Sequence, residues 1–309
     1  MALALSKHLG GLSMAASTTS VPASPSTGLV LVGMGLGSVS GMTIEAKQAA
    51  AAADHRRYEA YTALWPEEAL AALEADIGPV ERVMRPEVED PEALFALAKT
   101  SLVALLVVGD PLQATTHVDL QLRAAQAGIP CSVVHGISIT NVVTGAIGLS
   151  NYKFGRQTTL TYPYGDWIAT SPLEVIASNW EQNLHTLALL DLDPTGQGIG
   201  EQRPMQPADA AASFSAMWAK LESTVDEPFD ETYVRKAFRQ LSKKLYLQLT
   251  MDDIPVVLCS DMGTEDQAIV FTTVGRLSEQ KGGRLNCLVF PASTSEVEEK
   301  ALLRWKEGE

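Results

Sequence analysis

The apolar positions of this chain fall into short runs with two different spacings. Leu29 to Val32, Leu102 to Val108, Cys131 to His135, His185 to Leu192, Ile254 to Ser260 and Leu285 to Phe290 are aliphatic runs of strand length. Gly, Pro or acidic residues punctuate most of them. Between them, helical spacing covers Ile44 to Ala53, Pro66 to Ala75, Pro91 to Thr100, Val118 to Ala127, Leu173 to Gln182, Ala208 to Leu221 and Asp230 to Leu249. Thr43 is placed to cap the first of these, and Gly128-Ile129-Pro130 ends the fourth. Pro79 to Arg85 and Gln157 to Tyr164 read as strands. Ala268 to Val274 does too, although a helix through Glu279 fits the same letters. Strand–loop–helix units from about 110 to 150 predict a parallel, right-handed α/β sheet, with a boundary to a second domain near 140 to 155.

Two strand ends carry unusual chemistry. Leu102 to Val108 breaks at Gly109-Asp110-Pro111, and the small residues Ala114-Thr115-Thr116 then lead to His117. Leu29 to Val32 runs into Gly33-Met34-Gly35-Leu36-Gly37, whose glycines allow positive φ and a close ligand approach. Ser38 stands where the dinucleotide fingerprint needs its third glycine, so that motif is absent. Open α/β sheets keep ligands at the carboxyl edge of their strands, which is where both turns fall. Elsewhere, Tyr58, Tyr61 and Trp65 in the Arg56 to Trp65 stretch, and Phe214, Met217 and Trp218 on one helix face, read as core.

Composition narrows the function. The 309 residues are 46% hydrophobic and 19% charged, which suits a globular chain of one large or two medium domains. A net charge of −14 argues against nucleic acid and anionic membrane as partners, and no apolar run approaches bilayer length. Cys131, Cys259 and Cys287 are far apart and read as free thiols. The five histidines are scattered, so no metal site is expected; His135 and His185 read as structural, and His117 as a local cap or packing residue. Neither a GxSxG nucleophile elbow nor a P-loop is present. What remains is strand ends with glycines, Asp110, Thr115, Thr116, Ser138 and Thr140, an inventory for a neutral or zwitterionic small molecule. Met1 to Thr27, rich in Ala, Ser, Thr and Pro, reads as a disordered extension or the product of a misassigned start, outside the fold.

Six segments in order carry a resemblance: LVGMGLG at 31–37, YEAYT at 58–62, VVGDPLQATTHVDLQLRA at 107–124, GIPCSVVHGISI at 128–139, GLSNYKFGRQTTLTYPYGDWIATS at 148–171 and LHTLALLDL at 184–192. Together they resemble the diphthine synthase family, relatives of the tetrapyrrole methylases, in its archaeal wording. The resemblance implies two α/β domains, 28–145 and 146–309, with S-adenosylmethionine (SAM) in the cleft between them. It implies methyl transfer to the modified histidine of translation elongation factor 2 in diphthamide synthesis, a cytoplasmic setting and a homodimer. Three methyls on the amine, or a further methyl ester, are both open.

The cofactor contacts carried over are Leu36 in the glycine-rich loop, Asp110, Gln113 (usually another residue type), Ser138 and Ile139, Leu190 and Met262. Ser295 stands where the family has a histidine near the ligand. Tyr61, Thr115 and Thr116 join the cleft on the same resemblance. No catalytic residue is assigned, because a sulfonium is already an activated electrophile and placement in a dry cleft does most of the work. Two alternatives stay open: a methylase acting on a corrin precursor, and a catalytically silent binding module of the same fold.

Overall fold

The structure, a computed structural model, describes residues 26–197, 199, 202–223 and 250–306. The helix expected over Asp230 to Leu249, and nearly all of the 1–27 extension, lie outside the described residues.

The first sheet contains β1 (Gly28–Gly33), β2 (His55–Glu59), β3 (Glu81–Val83), β4 (Leu102–Val107) and β5 (Cys131–Val134), in the order β3-β2-β4-β1-β5. Every pairing is parallel, from Gly28 opposite Leu102 to Val32 opposite Val134. The two central strands, β1 and β4, read as unbroken apolar runs because both of their faces are covered, whereas β2 (HRRYE) and β3 (ERV) carry charges towards the sheet edge. Val30, Val32, Ala104 and Leu106 face α1 (Ile44–Ala52) and α2 (Glu67–Ile77). Leu29, Leu31, Val103 and Leu105 face the other way, onto α3 (Arg85–Glu89), α4 (Glu92–Ala98) and α5 (His117–Gln126). Thr43 caps α1 as its spacing predicts, its hydroxyl accepting from Ala46 N at 3.0 Å. Tyr58, Tyr61 and Trp65 are all buried.

The second half departs from the parallel pattern. Its sheet, β6 (Thr158–Leu160), β7 (Thr186–Leu190), β8 (Pro255–Ser260), β9 (Ala268–Thr273) and β10 (Asn286–Phe290), runs in the order β6-β7-β10-β8-β9. Only β6 and β7 pair in parallel; β10 is antiparallel to both β7 and β8, and β9 is antiparallel to β8. The ambiguous stretch from Ala268 is a strand followed by a 3-10 helix, Val274–Glu279. One face packs on α7 (Ser171–Glu181) and α8 (Pro207–Ser223), with Phe214 stacked on Phe290. The other face packs on α6 (Ile139–Ala146) and α9 (Glu296–Leu303), through Val143, Ile147 and Leu302. Thus α6 follows β5 in the chain yet covers the second sheet, and the expected division at 145 differs from this packing by one helix. None of the described helices is long and apolar enough to cross a membrane.

Two devices fix how the strand ends meet. Gly33, Gly109 and Gly136 close β1, β4 and β5 so tightly that a Cβ on Gly33 would sit 2.8 Å from the Gly109 carbonyl oxygen. A Cβ on Gly136 would overlap the same oxygen. Across the halves, Gly263, in the turn after β8 with φ of 83°, lies against Leu36; a Cβ there would fall 2.9 Å from the Leu36 Cβ.

Candidate active site

A cleft of about 1010 Å³, open to solvent, lies where the two sheets face each other. From the first half it is lined by Leu36 after β1, Thr62 and Ala63 after β2, residues 107–110 and 113–115 at the end of β4, and Ser138, Ile139 and Thr140 at the start of α6. These are all carboxyl ends of parallel strands, as expected for such a sheet. The second half supplies Leu189 and Leu190 at the end of β7, Leu192 just beyond it, and Cys259, Asp261, Met262 and Thr264 at and after the end of β8. It also supplies Arg284, Leu285, Asn286 and Cys287 at the start of β10. Because β10 runs against its neighbours, its beginning, not its end, reaches the cleft.

That reversal corrects one sequence expectation. Ser295 does not line the cleft. It follows the far end of β10 and caps α9, its hydroxyl accepting from Glu298 N at 3.3 Å while the Glu298 carboxylate accepts from Ser295 N at 2.9 Å. Asn286 and Arg284 are the cleft residues of this segment. The other expected contacts, Leu36, Asp110, Gln113, Ser138, Ile139, Leu190 and Met262, are brought together around the one cavity, and Thr115 joins them. Tyr61 instead lies in the core under Arg85, and Thr116 precedes α5 outside the cleft lining.

Asp110 is the hub of the first wall. Its Oδ1 accepts from Leu112 N at 2.9 Å, and its Oδ2 accepts from Gly136 N at 3.3 Å and lies 2.7 Å from His135 Nδ1. A carboxylate offers about four acceptor positions, so one remains for a ligand donor. His135 holds the structural role expected of it from an exposed position: its side chain is 70% exposed and steadies Asp110. The glycine-rich turn is tied to the same loop, with Gly109 N donating to Gly35 O at 2.8 Å.

Behind this wall lies a buried pair, His117 and Glu59, far apart in sequence. His117 Nδ1 lies 3.0 Å from the Pro111 carbonyl, which can only accept, so Nδ1 carries the proton. His117 Nε2 then faces Glu59 Oε2 at 3.3 Å, both side chains almost fully buried. Burial pushes the Glu59 carboxyl from its ordinary 4.5 up to about 8, against the opposing pull of the Thr62 N–H and the Arg85 charge. Burial likewise lowers His117, against its bond to Pro111. At neutral pH the pair is a protonated acid facing a bare imidazole nitrogen. It joins β2 to the 110–117 loop, and Glu59 Oε1 holds Thr62 N at 3.1 Å, so both sides of one cleft wall hang from it.

The second wall is equally constrained. Asp261 adopts φ of 45°, a left-handed conformation that costs a non-glycine residue about 1–3 kcal/mol. Its N–H donates to Leu285 O at 2.8 Å, and its carboxylate accepts from the N–H groups of Arg284 and Leu285, each at 3.0 Å. Cys259 and Cys287 stand opposite each other on β8 and β10. A hydrogen bond with Cys287, then burial, holds the Cys259 thiol well above its usual range, so it stays protonated and is no nucleophile.

An activated methyl donor with an amino group fits these groups: aliphatic walls, hydroxyls and backbone amides for a neutral base and sugar, and the open acceptor position of Asp110 for a cationic amine.

Comparisons with known proteins agree with this geometry. The chain is 36% identical over 166 residues to a diphthine synthase of Methanospirillum hungatei, covering 53% of this chain and 66% of that protein. It is 35% identical over 195 residues to one of Halobacterium salinarum, covering 62% of this chain and 75% of that protein. A diphthine synthase crystal structure superposes with a TM-score of 0.71 at 27% identity, over 90% of this chain and 96% of that one. The model of the tetrapyrrole (corrin/porphyrin) methylases matches residues 28–278, and the chain belongs to that family.

Proposed function

We propose that the chain is a SAM-dependent methyltransferase that methylates the modified histidine of elongation factor 2, the diphthine synthase reaction. The observation that carries this reading is the meeting of the Gly33–Gly37 turn, the Asp110 loop, Ser138-Ile139, Leu190 and Met262 around one cleft. The diphthine synthases named above support the acceptor, and the family supports the methyl donor.

When bound, SAM supplies a methyl group already activated on its sulfonium. The chain's residues supply placement. Asp110, with one acceptor position left, takes a donor from the ligand. The backbone around Gly109, and Ser138 at the start of α6, fix the donor's orientation. Leu36, Leu190, Met262 and the protonated Cys259 keep water from the reacting centre. The protein acts as a homodimer in the cytoplasm, as its family resemblance implies.

Incubation with methyl-labelled SAM and elongation factor 2 bearing the incomplete diphthamide side chain tests the reading. Label in the factor, with the added methyls counted by mass spectrometry, is the expected result. SAM binding without label transfer overturns the acceptor, and no SAM binding overturns the donor as well.

A further inference from the structure

Arg284 brings a positive charge into the cleft. It lines the cleft beside the glycine-rich turn, its Nη2 3.6 Å from where a Cβ on Gly37 would stand. Its Nη1 is fully buried and has no hydrogen-bond partner. A guanidinium has five donors and no way to shed its charge, so a buried unpaired N–H on it calls for an acceptor. The two acids that line the cleft do not provide one. Asp261 is turned to the backbone amides of Arg284 and Leu285, and Asp110 to Leu112, Gly136 and His135, and neither carboxylate bonds Nη1 of the guanidinium. Those same bonds to Asp261 pin the Arg284 backbone, so the fork starts from a fixed point.

The missing partner is an anion. Among the described lining residues Arg284 is the one cation, on a chain whose net charge is −14. A single guanidinium among aliphatic side chains matches a singly charged, planar carboxylate; a phosphate carries more charge than this cleft neutralises.

We propose that Arg284 binds the carboxylate of an amino-acid group in this cleft. The inference rests on the methyltransferase reading. Two sources bring that chemistry: the amino-acid tail of SAM, and the acceptor side chain, for which the resemblance leaves a methyl ester open.

Calorimetry of wild-type, R284M and R284K protein with SAM and with decarboxylated SAM separates them, with acceptor KM measured on the same proteins. If the SAM tail is the partner, R284M weakens SAM binding about tenfold or more, leaves decarboxylated SAM unchanged, and R284K falls between. If the acceptor is the partner, R284M binds SAM like wild type and raises acceptor KM by a similar factor with little change in kcat. R284M that matches wild type in both measurements overturns the proposal. Wild-type protein that binds no SAM overturns the donor reading beneath it, a different result from a matching R284M. Near-ultraviolet circular dichroism, read on both variants, shows that each is folded.

Discussion

The two sheets serve the same cleft by opposite rules. In the first, all strands are parallel, and each contribution comes just after a strand: Leu36, Thr62, Asp110, Ser138. In the second, β7 and β8 follow that rule, while β10 runs the other way and contributes from its start, at Arg284 and Asn286. Strand direction, more than residue type, decides which end of a segment can touch a ligand.

The largest effect is expected where the first sheet's ends converge. Gly136→Ala places a methyl group onto the Gly109 carbonyl and should cost about 3 kcal/mol or more in denaturant unfolding. A cost under 1 kcal/mol would show that the three strand ends have slack.

Asp110→Ala comes next. Losing the hub of the first wall should weaken SAM binding by about 2 kcal/mol in calorimetry, near thirtyfold. Unchanged affinity would move the anchor to the second wall.

Glu59→Gln alters a pH profile. The folded-state pKa of Glu59 is raised, so the native chain holds this proton more tightly than the unfolded one. Its contribution is fully present below pH 4.5 and declines as pH rises to about 8. His117, lowered by burial, works against stability on the acid side instead. The groups facing the pair are Thr62, the Pro111 carbonyl and Arg85. The glutamine variant should flatten the decline between pH 4.5 and 8 in pH-resolved thermal melts; an unaltered slope would assign it to other groups.

Ser295→Ala is the smallest. It removes a helix cap at the far edge, for about 1 kcal/mol of stability, and should leave SAM affinity untouched. A loss of affinity would break the rule of strand direction drawn above.

The centre of the first sheet is readable in the sequence because β1 and β4 are fully buried, unbroken apolar runs that stop at Gly33 and Gly109. Its site residues sit where those runs stop. The second sheet hid its geometry, since Asn286 to Phe290 is equally apolar in either direction and its partners β7 and β8 are distant in the chain. Sequence order alone therefore points to Ser295, at the far end of that strand, in place of Asn286 at its start. The Gly282-Gly283 pair just before Arg284 marks the turn that delivers the correct end. Glu59 and His117 are 58 positions apart, and neither segment signals that they meet; only the pairing of β2 with β4 brings them together. Tyr61 lies beside the cleft loop in sequence, but its ring turns into the core against Arg85.

The contact between Gly263 and Leu36 makes the lip of the cleft a ruler. The spacing of the two halves at that point is set by a side chain that is not there. Each carbon added at position 263 acts as a wedge, so a graded series from alanine to larger residues would open the mouth stepwise. Loss of methyl transfer along that series would report how many ångströms of gape the reaction tolerates.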